Sequence, residues 1–160
     1  MNLAVSLLQT LPRQTAVYTR FLDLLHAERA ALGHAQPTAL ENCTAERMQL
    51  MTELEALDLE LRTLFENAKL TFSARAVKQF IATVAEPQRS QLARSWHQLL
   101  SIAAECKQHN AINSKIVDTR RQHTDRVLRI LMGQITPTAA TYAADGRVQS
   151  TAASATLATA

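Results

Sequence analysis

The first residues that could carry chemistry are Cys106 and His109, which are three positions apart and so share one face of a helix. This spacing can supply two ligands of a tetrahedral zinc site, but the sequence offers no obvious source for the others. The five histidines never form the pair with an intervening acid that zinc proteases use. A core cysteine beside a surface histidine is the favoured interpretation, and neither a metal nor another cofactor is predicted.

A group of carboxylates is the second candidate for chemistry: Glu53, Glu55, Asp58 and Glu60. They fall among leucines, in the pattern of a solvent-exposed helix face. The sequence contains no glycine-rich phosphate loop and no G-x-S-x-G elbow, and no nucleophile is accompanied by both a base and an orienting group. The sequence therefore predicts a protein that is not an enzyme.

A basic stretch could contact nucleic-acid phosphates, and it consists of Lys115, Arg120, Arg121, His123, Arg126 and Arg129. Asp118 and Asp125 interleave with it, which favours ion pairs within a solvated helix face. The formal charge of +3 is mild, and one tryptophan, two tyrosines and four phenylalanines provide no platform for stacking bases. Nucleic acid is not a predicted partner.

The elements that would position these residues begin with a helix over residues 4–32, where apolar side chains recur at steps of three and four. Pro12 cannot donate its backbone N–H and disfavours helical geometry at Leu11. We therefore expect a kink or a break that separates a short first piece from a longer second one. Gly33 is expected to provide the left-handed cap, and Pro37 to block continuation.

A second helix is predicted after a tight reversal. Thr38 followed by Glu41 has the pattern of a capping box. The positions from Leu40 to Ala68 then keep three–four spacing, with Arg47 as the only charged interruption. Two such helices joined by a short loop are predicted to pack antiparallel.

Two further helices complete the pattern. Within residues 69–90 we predict one short amphipathic helix, ended by Glu86-Pro87. From Gln88 to Met132 no glycine or proline interrupts, which predicts one long helix that Gly133 ends.

Asn110 and Asn113 lie on the apolar seam of the long helix. A buried amide costs stability unless it is paired. The two residues therefore either fix the register of the helix or mark a site where the helix is uncovered.

The expected fold is all-α, with an antiparallel helical hairpin plus a long C-terminal helix in a coiled-coil-like bundle. Residues 1–133 are predicted to form the helical domain and residues 134–160, rich in alanine and threonine, a flexible tail. No run approaches the ~20 apolar residues of a membrane span, and the first residues lack the features of a secretion signal. We expect a cytoplasmic protein, without membrane insertion, whose Cys43 and Cys106 stay reduced.

Three segments invite comparison with a known family. The first is the hairpin, LLHAERAAL followed by a short loop and ALENCTAERMQLMTELEALDLELRTL. The second is WHQLLSIAAECKQHNAINSKIVDTRRQHTDRVLRIL, with paired leucines, an N-x-x-N step at Asn110 and Asn113, and an apolar end. The third is TYAADGR. Together they resemble the FlgN family of flagellar export chaperones over nearly the whole chain.

The second segment is the most specific, because it is similar to the long last helix of that family. The third is similar to the family's tail motif of a tyrosine, a small residue and an acid–glycine pair. The sequence departs from the family in two places: Ala143 stands where glycine is common, and Ser114 follows Asn113 where glycine often does.

The resemblance implies a cytoplasmic chaperone for the flagellar hook-associated proteins of the hook–filament junction. It would shield their C-terminal helical segments from premature assembly and bring them to components of the type III export gate. An apolar stripe at the end of a long helix suits the docking of an amphipathic cargo helix. The expected contact residues are Val127, Leu128, Ile130, Leu131 and Ile135, with Tyr142 touching either cargo or the gate.

Two other hypotheses remain open from the sequence. In one, the chain is a structural coiled-coil scaffold whose seams serve self-association, which could also occur in a chaperone without cargo. In the other, least favoured, the basic stretch binds DNA, which would require a steep dependence of binding on salt.

Overall fold

The computed structural model describes residues 2–133, 141–142 and 148–149. These hold the helices α1 (Leu3–His34), α2 (Pro37–Asn67), α3 (Ala74–Thr83) and α4 (Gln88–Leu131). A two-residue strand β1 (Thr141–Tyr142) pairs antiparallel with β2 (Val148–Gln149), Tyr142 standing opposite Val148. The chain divides into two compact units, Met1–Val117 and Asp118–Ala160, and α4 supplies residues to both. The all-α class predicted from the sequence is confirmed.

Helices α1 and α2 form the predicted antiparallel hairpin. Arg13 pairs with Glu60, and Arg20, further along α1, pairs with Glu53, which is earlier in α2. The later residue of α1 thus pairs with the earlier residue of α2, which shows that the two helices run antiparallel. The reversal between the helices occupies only residues 35–36.

Within the first unit, α4 runs beside α1 in the same direction. The Cys106 thiol donates to the Tyr18 carbonyl oxygen at 3.3 Å, and the Asn113 amide donates to the Leu25 carbonyl oxygen at 2.8 Å. The three helices therefore enclose a shared core, in the manner of the bundle predicted from their seams.

The core of this unit consists of two clusters of buried side chains. The cluster at the start of α1 joins all four helices through Ala4, Leu7, Leu11, Leu61, Phe65, Val77, Ile81, Leu92, Trp96 and Leu99. The cluster nearer the reversal joins α1, α2 and α4 through Val17, Phe21, Leu24, Leu25, Cys43, Leu50, Leu54, Leu57 and Cys106. Helix α3 contributes Val77 and Ile81 only to the first cluster.

Of the kink or break expected at Pro12, the break does not occur: α1 continues through this proline as one helix. Proline in a helix interior costs ~3 kcal/mol. Leu7 and Leu11 on the adjoining turns are completely buried, and burying such a side chain returns roughly 1.5–3 kcal/mol. The free energy gained by burying Leu7 and Leu11 therefore outweighs the cost of Pro12 inside the helix.

The predicted helix ends at the reversal were wrong. Gly33 lies inside α1, and Ala35 adopts the left-handed conformation, with φ 51° and ψ 52°. Helix α2 begins with Pro37 at its first turn and has no side-chain cap, so the Thr38–Glu41 capping box is absent. Proline suits this position, since its ring presets φ and its missing N–H would have no helical partner.

The remaining helices were predicted closely. Helix α3 (Ala74–Thr83) occupies part of residues 69–90 and is capped by Ser73, whose hydroxyl accepts a hydrogen bond from the Ala76 N–H at 3.1 Å. Helix α4 spans Gln88–Leu131, one residue short of the predicted end, and Gly133 follows with φ 67°. Among the described residues, none of the helices is both long enough and apolar enough to cross a membrane.

Candidate partner-binding surface

The last turns of α4 carry uncovered apolar side chains. We call Val127, Leu128, Ile130 and Leu131 the α4 patch. Each of these four residues exposes between 40% and 76% of its surface to solvent. At about 100° per residue, the four positions fall within an arc of about 160° on one side of the helix. They are contiguous, and contiguous exposed apolar surface is typical of interaction sites.

Met132 follows Leu131 and is 66% exposed, whereas the other exposed large apolar side chains of the described residues are spread along the rest of the chain. Met48 is 65% exposed and Leu59 is 64% exposed, both on α2 and three turns apart. Isolated residues of this kind are normal on protein surfaces. They provide a matched reference for the α4 patch, because their exposure is similar but three turns of α2 separate them.

Two predicted contact residues lie at or beyond the edge of what the structure describes. Ile135 falls outside the described residues. Tyr142 is described only in its backbone, as part of β1 opposite Val148. Their place in the binding surface stays a prediction.

Asn113 lies in the first unit and is fully partnered. It is 2% exposed, and its Nδ2 donates to the Leu25 carbonyl oxygen and, at 2.7 Å, to Oε2 of Glu28. Its Oδ1 accepts from Nε of Arg29 at 3.0 Å. Both ends of the amide are thus satisfied from α1, which supports the interpretation that Asn113 fixes the register of α4.

Asn110 has a different environment. Its side chain is exposed, and its Oδ1 accepts from Arg47 at 3.0 Å. The same guanidinium donates to both carboxylate oxygens of Glu28, at 2.7 and 2.8 Å, and lies 5.4 Å from the centre of the Phe21 ring. Arg47, the charged interruption in the α2 seam, therefore links the three helices instead of breaking their packing.

Cys106 and His109 do not form a metal site with other side chains in the described part of the chain. Burial raises the pKa of Cys106 to about 11, so its thiol stays neutral near pH 7 and is a poor nucleophile. The His109 ring instead packs edge-on against His26, with ring centres 4.5 Å apart. No group of three or more His, Cys, Asp or Glu side chains placed to hold a metal occurs among residues whose positions are described.

One feature of the first unit was missed from the sequence: a cleft of about 620 Å³ between α1, α2 and α4. Its lining residues are Gln14, Tyr18, Phe21, Arg47, Met51, Leu54, Glu55, Asp58, Ala103, Cys106, Lys107 and Asn110. The one sequence feature that indicates this cleft is Ala103, because it places a small side chain in the α4 seam after Trp96 and Leu99. The width of a cleft depends on spacing between helices, which the pattern does not encode.

Comparison with known proteins adds the family. The family model described as FlgN protein matches residues 1–150. No curated protein and no solved structure matches the chain. The family match spans the hairpin, α3 and all of α4, together with both strands. The chain belongs to the FlgN family of flagellar export chaperones.

Proposed function

We propose that this protein is a cytoplasmic chaperone that binds hook-associated proteins of the hook–filament junction through the α4 patch. It holds their C-terminal helical segments, prevents premature assembly and brings them to components of the export gate. Family membership supports the class of activity. The observation that carries the choice of surface is the contiguous exposure of Val127, Leu128, Ile130 and Leu131.

The physical basis is burial of apolar surface on both partners. An amphipathic helix that assembles into a filament presents an apolar stripe, which favours aggregation or early assembly while it is unpaired. Covering partly exposed aliphatic side chains of the α4 patch provides about 1 kcal/mol each. The sum is enough to hold a segment reversibly after the cost of association, as a carrier that must release its cargo requires.

The other predicted residues have separate roles in this proposal. Ile135 and Tyr142 extend the contact beyond α4, with Tyr142 touching either the cargo or the gate. Asn110 and Asn113 act within the first unit, where their hydrogen bonds hold α4 against the hairpin. No bond is made or broken in the process.

The test replaces Val127, Leu128 and Leu131 together with serine. Affinity for the C-terminal segment of a junction protein should fall about 100-fold, because about 3 kcal/mol of apolar burial is lost. Helicity measured by circular dichroism should stay close to that of the unchanged protein.

The matched control replaces Met48 and Leu59 with serine. These side chains are similarly exposed but lie outside the α4 patch, so affinity should change less than about twofold. Unchanged binding by the triple variant would show that cargo does not use this surface.

A further inference from the structure

The charges around the α4 patch are arranged by sign. At about 100° per residue, Arg126 lies about 40° beyond Ile130 on one side of the patch. Arg121 lies about 20° beyond Leu128 on the other side. Both borders of the apolar arc are therefore basic.

The acidic residues of the same segment lie elsewhere on the helix. Asp118 and Asp125 fall about 140–160° from the middle of the apolar arc, on the opposite face. Arg129 lies between Arg126 and that acidic face. Arg120 precedes the patch by two turns and lies on the patch side. A partner that covers the patch meets Arg126 and Arg121 at its edges, and the nearest carboxylate, that of Asp125, lies about 60° beyond Leu128.

The bordering arginines are also available to a partner. In the described part of the chain, the ion pairs closer than 4.0 Å do not include Arg121, Arg126 or Arg129. Arg126 and Arg129 line a shallow depression with Gln122 and Asp125. Guanidinium groups in this setting can form forked hydrogen bonds with carboxylates of a second helix.

From this arrangement we propose that the α4 patch selects an amphipathic helix whose apolar stripe is bordered on both sides by Asp or Glu. The proposal rests on the proposed function and specifies the chemistry of the cargo. Paired charges along the edges of a helix–helix seam set the choice and orientation of a partner, as at the flanking positions of coiled coils.

Two other occupants fit the surface less well. A second copy of α4 would place arginine borders against arginine borders, which is unfavourable. An anionic membrane would accept the arginines, but the apolar arc lacks the tryptophan or phenylalanine that anchors interfacial helices and is little more than one turn long. A protein helix with an apolar stripe and acidic borders can cover the α4 patch and pair with its bordering arginines.

The experiment uses the full chain and three synthetic helical peptides with one apolar stripe and Glu, Gln or Lys at the bordering positions. Fluorescence anisotropy should give binding about fivefold tighter for the Glu peptide than for the Gln peptide at about 50 mM salt. The Lys peptide should bind most weakly. At about 500 mM salt the three affinities should converge.

Charge reversal of both borders with Arg121→Glu and Arg126→Glu should invert the order of the Glu and Lys peptides. The matched control reverses the same number of charges at Arg75 and Lys78, an exposed basic pair on α3, and should keep the original order. Equal affinity for all three peptides would overturn the proposal. So would tighter binding to vesicles of equal parts phosphatidylcholine and phosphatidylglycerol than to the Glu peptide.

A junction-protein segment measured in parallel separates this inference from the proposed function. If it binds the reversed variant as well as the unchanged chain, the acidic-border proposal fails and the chaperone assignment stands. If it binds neither, while the Glu peptide keeps its advantage, the choice of cargo fails and the charge preference of the surface stands.

Discussion

The two parts of α4 carry similar apolar spacing but different environments. In the first unit, Leu92, Trp96, Leu99 and Cys106 are buried against the other helices. In the second unit, the residues of the α4 patch are exposed. Periodicity places apolar side chains on one face in both cases, but the described residues bury that face only in the first part. The same pattern thus serves stability in one part and suits binding in the other.

Polar residues sharpen the contrast. Asn113 interrupts the seam in the first unit, and its amide is fully paired with groups on α1. Around the α4 patch, Arg121 and Arg126 lie on the borders, and the four apolar side chains are exposed. Internal hydrogen bonds fix a register, whereas border charges select an external partner.

The largest expected difference is in the free energy of unfolding lost when a leucine in each part of α4 is replaced with alanine. Leu99→Ala removes a side chain that is 5% exposed and should lower the free energy of unfolding by about 2–5 kcal/mol. Leu131→Ala removes one that is 76% exposed and should change it by less than about 0.5 kcal/mol. Urea denaturation followed by circular dichroism measures both. Similar losses for the two variants would show that the α4 patch is part of the core.

A smaller difference is expected between the two asparagines. Asn113→Ala removes a buried amide that bonds to Glu28, Arg29 and the Leu25 carbonyl, and should cost about 2–3 kcal/mol. Asn110→Ala removes one exposed hydrogen bond from Arg47 and should cost about 0.5–1 kcal/mol. The same denaturation curves test the prediction, which a greater loss for Asn110 would contradict.

The smallest effect concerns pH and is confined to the first unit. Burial raises the pKa of Cys106 from 9.0 to about 11, so the folded thiol holds its proton where an unfolded thiol has lost it. This contribution to stability is fully present below pH 9 and is lost as pH rises towards 11. Cys106→Ala should therefore lose less stability over that interval than the unchanged chain. An equal loss in the two proteins, measured by urea denaturation at each pH, would contradict the raised pKa.

Much of the fold could be predicted because long helices with regular seams leave little ambiguity. The hairpin, α3 and α4 follow from apolar spacing and from the absence of glycine and proline within residues 88–132. The errors occurred where local signals compete. Pro37 fixes the start of α2, so the left-handed residue falls at Ala35 and not at Gly33.

The site was less accessible to sequence reasoning. Val127, Leu128, Ile130 and Leu131 stand out as an apolar end, but exposure depends on which elements cover them. The hydrogen-bond partners of Asn113 are Leu25, Glu28 and Arg29, which lie on α1 and are distant in sequence. The local sequence therefore could not show whether this amide is buried and fixes the register of α4 or lies on an uncovered part of the helix. Packing between helices decides such cases.

The most direct test of the central claim is amide hydrogen exchange of the full chain with and without the C-terminal segment of a hook–filament junction protein. Cargo bound on the α4 patch should slow exchange over residues 118–133 and leave the hairpin of α1 and α2 nearly unchanged. Protection confined to α1 and α2, with residues 118–133 exchanging as before, would contradict the assignment of this surface.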